Sequence, residues 1–330
     1  RVAAGVMTGE ERNTLIADVS DEVVGRILSN NFHQAQAISR EVEVSSRRMY
    51  AYEDLMQSLE DEGILDRHID AMPSSEAMSE RMKSGAGLTR PEMAVLLANA
   101  KRSIKQALVG SMLMDDPYLL ADVERYFPQA VTGRLNDEVN DHPLRRELIA
   151  TLLANDIVNS EGVVFTSRLV IQTGAEPVDV GRAYRIARDL TGAQERWARI
   201  EQIYVDIDHE MWARLMRHTD RMVASVTRWY LANGNGGSIG EIVESSRPVF
   251  EEMEAGALES EVTGWRDSRI GVMADLVSAG VPDDVARSHA VLPILNYGPD
   301  VIEIAGPVSY THLTLPTNTN ACSSRWWGGH

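Results

Sequence analysis

The densest group of chemically able side chains is Asp206, Asp208, His209 and Glu210, three carboxylates and an imidazole within five residues. Metal binding needs other spacings. An HExxH helix requires a second histidine where Ala213 stands, and a calcium loop needs alternating oxygen ligands, a turn glycine and a closing glutamate. The expectation is that Asp206 or Asp208 caps a helix carrying Met211, Trp212 and Leu215. His33, His68, His142, His218 and His289 are scattered, with no Ser and acid in triad-like order, so each is expected as a cap or core residue rather than a catalyst. The run Gly234 to Gly240, GNGGSIG, superficially resembles a phosphate-cradling glycine loop. It follows the helical pattern RMVASVTRWYLAN rather than a strand, and Ile239 holds the place of the last required glycine, so it reads as a helix-to-helix loop.

Arg182, Arg185 and Arg188 follow the Thr173-Gly174 turn on one helical stretch, as a DNA-reading helix would place them. Asp179 and Asp189 share that stretch. Lys and Arg total 32 against 49 acidic residues, a net charge of −17 that repels phosphate backbones. Nucleic acid is therefore not an expected partner. From Val308 the chain reads VSYTHLTLPT and then NTNACSSRWWGGH, which has no helical period and resembles a translated sequencing adapter, so residues 308–330 are set aside. The remainder has 31 basic and 49 acidic residues, a charge of −18. Setting the tail aside removes the only cysteine, Cys322, and with it any disulfide, thiol nucleophile or cysteine-ligated zinc. The residues thus predict no catalytic, cofactor-binding or metal-ligating site.

The elements that would position such residues are helical throughout. Aromatics are scarce, Ala, Leu, Glu and Arg are common, and β-branched residues seldom alternate, which predicts an all-α fold with no nucleotide-binding sheet. Thr8 and Glu11 form a capping-box signature, followed by a helix to Asn30 and a second from Gln34 to Glu62 that ends at Gly63. Arg47, Arg48, Glu53 and Glu60 are expected on its solvated face. A short helix from Leu65 to Ala71 and another from Ser75 to Ser84 precede the best boundary of the first half, at Gly85 to Gly87. Thr89, Pro91 and Glu92 open the clearest helix, which runs to Val109 with a buried MAVLLANA end and Lys101, Arg102 and Lys105 toward solvent.

Further helices are predicted at Tyr118–Tyr126, Pro143–Val158, Pro177–Leu190, Ala193–Val205, His209–Ala232, Ile239–Met253, Ser260–Ala279 and Pro282–Leu295. Val163–Ile171 is read as helix despite its β-branched residues, because its neighbours are helical. The pattern PxDVxR after a glycine occurs at Pro177 and again at Pro282, where it predicts helix-turn-helix corners. Trp197, Trp212, Trp229 and Trp265 lie on these helices and are expected to anchor core or subunit contacts. No apolar run reaches 18 residues, which predicts a soluble, cytoplasmic chain without membrane contact. Because it begins at Arg1 and runs directly into helix, the chain is expected to be a piece of a larger protein.

Two long stretches carry a family resemblance: GLTRPEMAVLLANAKRSIKQAL (Gly87 to Leu108) and HPLRRELIATLLANDIVNSEGVVFTSRLVIQTGAEPVDVGRAY (His142 to Tyr184). Both closely resemble the C-terminal region of the large bacterial NAD-specific glutamate dehydrogenases. SDEVVGRILSNNFHQAQAIS, from Ser20, is similar to the stretch after that family's catalytic domain, and VPDDVARSHAVLPILNYGPDVIEIA also fits.

The resemblance implies a parent that oxidises L-glutamate to 2-oxoglutarate and ammonia and passes hydride to NAD, with NAD held by an upstream domain and none by this chain. It also implies packing against that upstream catalytic domain and a homo-oligomer. The family's catalytic lysine sits among glycines, a context that Lys83, Lys101 and Lys105 lack, so no residue is carried over. The implied organisation is a helical segment at 1–86 following the catalytic domain, a C-terminal helical domain in two parts at 87–192 and 193–307, and the tail at 308–330. An independent helical interaction module is the alternative, and a helix-turn-helix DNA-binding protein a weaker one.

Overall fold

A computed structural model describes Gly5, residues 7–234 and residues 236–305, so Asn235 of the glycine run and the tail set aside at 308–330 lie outside the described residues. Every regular element among the described residues is helical, with no strand, as the sequence predicts. The chain divides into two compact units between Arg182 and Ala183.

The first unit holds α1 (Gly9–Val44), α2 (Met49–Asp61), α3 (Ser75–Ser84), α4 (Arg90–Val109), α5 (Leu120–Tyr126), α6 (Gln129–Asn140), α7 (Arg145–Glu161) and α8 (Phe165–Thr173). Thr8 Oγ1 accepts the Glu11 N–H at 3.2 Å while the Glu11 carboxylate accepts the Thr8 N–H at 2.7 Å, the predicted capping box. The helix does not stop at Asn30. Residues 30–34 contain neither Gly nor Pro, and α1 runs unbroken to Val44. The break falls instead at Ser45, whose hydroxyl donates to the Val42 carbonyl at 2.9 Å.

Gly63 ends α2 at φ +67°, with the Ile64 N–H reaching the Leu59 carbonyl at 2.9 Å. The helix expected at Leu65–Ala71 is absent. The Asp66 carboxylate accepts the N–H groups of His68 and Ile69 at 2.9 and 3.0 Å, which closes a single turn that Ala71 ends at φ +53°. Nor are Glu53 and Glu60 simply solvated. Arg67, nearly buried, donates to both Glu53 oxygens at 2.9 and 3.0 Å and to Glu60 at 2.9 Å.

α4 begins at its predicted N-cap Thr89, which with Glu92 forms a capping box, and Glu92 also receives both Arg81 guanidinium nitrogens at 2.7 and 2.8 Å. That pairing brings its carboxyl down to about 2. Met93, Leu96, Ala100 and Ile104 of α4 are buried, as are Ile149, Leu153 and Ile157 of α7, and the two helices form the main contact of the unit. Each fully buried Met, Leu or Ile among them stabilises by about 1.5–3 kcal/mol. Gly162, at φ +95°, stops α7, and the β-branched run that follows is indeed the helix α8.

α9 (Pro177–Leu190) begins in the first unit and ends in the second, which continues with α10 (Ala193–Gln202), α11 (His209–Asn233), α12 (Ile239–Glu259), α13 (Thr263–Ser278), α14 (Asp283–Ala290), α15 (Leu292–Leu295) and α16 (Gly298–Ala305). Its core gathers Ile200, Trp212, Leu215, Leu276, Val281 and Val285, with Trp197 packed against it. Both PxDVxR corners form as predicted: Gly174 and Gly280 take φ of +71° and +85°, and Val180 and Val285 are buried. The single closing helix expected at Pro282–Leu295 is two, parted at Val291 ahead of Pro293. α12 runs past the expected end at Met253 to Glu259, through Pro248. α6 and α16 have no counterpart in the sequence reading.

Candidate functional site

Asp206, Asp208, His209 and Glu210 are all exposed, and two of them are tied to the scaffold. Asp208 caps α11, its carboxylate accepting the Met211 N–H at 2.8 Å, and His209 stacks on Trp212 with ring centroids 5.6 Å apart. Among the described residues, no three His, Cys, Asp or Glu side chains are grouped so as to hold a metal ion. Gly234 ends α11, and Ser238 with Glu241 opens α12 through a capping box, so the glycine run joins two helices. Arg185 and Arg188 are 2% exposed, and each donates from Nε to the Asp189 carboxylate, at 3.0 and 2.9 Å. Both guanidinium groups are taken up inside the fold, while Arg182 is half-buried.

His142 Nδ1 accepts the Leu144 N–H at 3.1 Å and His289 is buried in the second unit, which gives these two the cap and core roles expected of them. Among the tryptophans, Trp212 is core, while Trp197 and Trp229 donate from Nε1 to Asp220 and Asp300 at 3.1 and 2.9 Å.

Two buried polar centres in the first unit escaped the sequence reading. Glu41, almost wholly buried on α1, accepts the Tyr52 hydroxyl at 2.5 Å and stands 3.5 Å from the Arg48 guanidinium. Burial, with the adjacent carboxylate, pushes the Tyr52 phenol well above its ordinary range, so the proton stays on tyrosine. Lys101, expected toward solvent, has a buried Nζ that makes no hydrogen bond. Burial against α7 pulls it down to about 8, with the Asp156 charge opposing. Of its expected companions, Arg102 is exposed and Lys105 half-buried. The Glu41 centre ties α1 to Tyr52 of α2.

The surface carries a different signal. On the N-terminal half of α1, the face in contact carries the buried Leu15 and a charged pair: the Arg26 guanidinium donates to the Tyr126 and Phe127 carbonyls at 3.2 and 3.3 Å, and Glu22 accepts the Gln129 N–H at 3.2 Å. The neighbouring apolar arc is bare. Ile16, Val24, Ile27 and Leu28 are 54–64% exposed and Val23 39%, all within one broad helical arc. The stripe lies beside the docked face and is left open to water.

Among the described residues the chain is a multi-helical fold without a strand. More particularly, the chain belongs to the family described as glutamate dehydrogenase, C-terminal, which matches residues 85–314. It is 34% identical to the NAD-specific glutamate dehydrogenase of Halomonas elongata over 308 residues, 92% of this chain and 19% of that protein. The enzymes of the same description from Pseudomonas aeruginosa and Mycobacterium tuberculosis are 36% and 29% identical, over 70% and 86% of this chain and 14% and 18% of theirs. The chain thus spans less than a fifth of the length of these relatives.

Proposed function

We propose that this chain is the helical C-terminal region of an NAD-specific glutamate dehydrogenase and that its role is structural. The parent converts L-glutamate, NAD and water into 2-oxoglutarate, ammonia and NADH in the cytoplasm, with the catalytic groups and the NAD site in the part of the polypeptide outside this chain. The relatives support the parent reaction. The observation that carries the structural role is the bare stripe of α1, which precedes the family-matched region at residue 85 and offers the preceding part of the polypeptide an apolar seam. Packing there also helps to hold a homo-oligomer together.

The purified chain, checked for helix by circular dichroism, is expected to form no NADH from glutamate and NAD, and measurable turnover overturns the proposal. In the full-length parent, the double substitution Val24→Glu, Leu28→Glu is expected to lower glutamate-dependent NAD reduction and to open the segment around α1 to limited proteolysis. The same double substitution in the isolated chain leaves its unfolding midpoint nearly unchanged, since both side chains are already in water. A full-length variant as active and as protease-resistant as the wild type overturns the α1 seam.

A further inference from the structure

The second unit carries two helix faces of opposite sign. On α11 the buried side chains, among them Trp212, Leu215, Thr219, Val223 and Tyr230, take one half of the helix, and Arg214, Arg217, His218, Arg221 and Arg228 share the other. No carboxylate stands between them. The two on this helix are Glu210, in the first turn, and Asp220, which is buried and accepts the Trp197 indole N–H at 3.1 Å. α12 shows the reverse: opposite its buried Ile242, Ser246, Val249 and Met253, the exposed half carries Glu244, Glu251, Glu252 and Glu259, with Arg247, its only basic residue, at the edge. Like charges one turn apart repel, and soluble surfaces ordinarily interleave the two signs. Burial lowers the His218 imidazole below its ordinary value, and the charges of Arg214, Arg221 and Arg217 press it further down. The side chains of Arg214, Arg221 and these four glutamates form no ion pair or hydrogen bond among the described residues. Within one chain, then, the two faces do not satisfy each other.

We infer that both faces are covered by a second copy of this chain, the arginine face of α11 lying along the glutamate face of α12 of the other copy, twice over, about a two-fold axis. The inference rests on the homo-oligomer reading above and gives it a surface. The lengths match. Arg214 to Arg228 spans about 21 Å and Glu244 to Glu259 about 22 Å at 1.5 Å per residue. The chemistry matches as well, since a guanidinium pairs with a carboxylate through two parallel hydrogen bonds. Symmetry closes the contact: a two-fold arrangement uses each face once per copy, whereas a one-way contact leaves an arginine face and a glutamate face bare. A nucleic acid or another polyanion would cover the arginines alone, and the net charge of −17 repels it.

Sedimentation velocity of the whole chain is expected to show a monomer–dimer equilibrium that weakens about tenfold between ~50 mM and ~500 mM salt. Two double variants test the faces. Arg214→Glu with Arg221→Glu makes the α11 face acidic, and Glu251→Arg with Glu252→Arg makes the α12 face basic. All four positions stand on the outward halves of their helices, so the circular dichroism is expected to match the wild type. Each variant alone is expected to associate at least about tenfold more weakly, because like charges then meet. Mixed in equal amounts, the two are expected to pair again: the acidic α11 of one copy faces the basic α12 of the other, and the two unaltered faces still match. A chain that stays monomeric at ~200 µM in low salt overturns the inference, while the mass of the full-length parent decides separately whether that protein is a homo-oligomer. Variants whose mixture stays monomeric overturn it too. So does association that ignores salt and both reversals but is lost on Val24→Glu, Leu28→Glu, which would put the contact on α1.

Discussion

Gly162 lies so close to the Glu41 carboxylate that a Cβ added to it would stand 1.9 Å from Oε1. Two elements far apart in sequence, α1 and the turn that stops α7, meet there, and Arg40 of α1 adds a hydrogen bond to the Ser160 carbonyl at 3.2 Å. The backbone adds a second demand, since φ at Gly162 is +95°, where a side chain is strained whatever the space around it. Tyr52 and Arg48 hold Glu41 from the other side, so the carboxylate has little room to retreat.

Gly162→Ala is accordingly expected to destabilise the chain by about 2–3 kcal/mol in urea unfolding. Part of that is the clash and part the strained φ. In a Glu41→Ala background only the φ strain remains, and the same substitution is expected to cost about 1 kcal/mol. Equal costs in the two backgrounds would show that the carboxylate is not what excludes the side chain.

Arg67 joins two carboxylates of α2 and also donates to the Pro73 carbonyl at 3.1 Å, which fixes the capped turn that stands where a helix was predicted. Arg67→Met strands Glu53 and Glu60 and is expected to lower the unfolding free energy by about 2–3 kcal/mol. The pair also sets an acid limit. Burial pushes the Glu53 carboxyl up, but hydrogen bonds from Arg67 and Ser75 bring it below its ordinary value. A depressed carboxyl contributes stability that is complete above its unfolded value of 4.5 and fades as pH falls below it. The gap between wild type and Arg67→Met is therefore expected to narrow from pH 6 to pH 3, measured by unfolding midpoints.

Lys101 presents the opposite balance, a buried amine with no hydrogen bond. Its folded value of about 8 lies below the unfolded 10.5, so the unfolded chain holds more protons between these pH values. Stability therefore rises as pH climbs through that window, and below pH 8 the burial penalty is complete. Lys101→Met keeps the packed stem, removes the charge and is expected to stabilise by about 1–2 kcal/mol at pH 7. Comparing urea midpoints at pH 7 and pH 9.5 checks it: the advantage should shrink at the higher value. A variant less stable at pH 7 would mean that the amine is satisfied.

The contrast between Arg67 and Lys101 shows what the sequence holds and what it does not. Caps and stops are local chemistry, so Thr8 with Glu11, Thr89 with Glu92, Gly63 and Gly174 were legible as written. The fate of a charge depends on which helix lies opposite. Nothing around Lys101 announces that α7 covers it, and its spacing from Arg102 and Lys105 suggests a wet face. Likewise the first helix was expected to end at Asn30, where the apolar spacing runs out, yet no Gly or Pro enforces a stop and α1 runs on. The exposed stripe of α1 was invisible for the converse reason: its periodicity is that of a buried face, and only the fold shows that α1 docks along the neighbouring arc of Leu15, Glu22 and Arg26 instead.

His289, 3% exposed, donates from or accepts at both ring nitrogens, with Nδ1 3.1 Å from the Val285 carbonyl and Nε2 3.3 Å from the Leu215 carbonyl and 3.4 Å from the Thr219 hydroxyl. A neutral ring has one N–H, so the assignment that satisfies most groups gives the proton to Nδ1 and lets Nε2 accept from Thr219. Two carbonyls facing the ring favour the imidazolium, but burial outweighs them, and with the positive charges of Arg196 and His218 it brings the ring down to about 4. Between pH 6.5 and about 4 the unfolded chain therefore binds a proton that the folded chain refuses, and stability falls as pH falls through that window. The full shift corresponds to roughly 3 kcal/mol. His289→Gln removes this titration and leaves His218 and the carboxylates in place, so subtracting the two unfolding profiles isolates it. The difference is expected to be flat above pH 7 and to change steadily toward pH 4, and parallel profiles would show that the folded ring takes its proton as readily as the unfolded one.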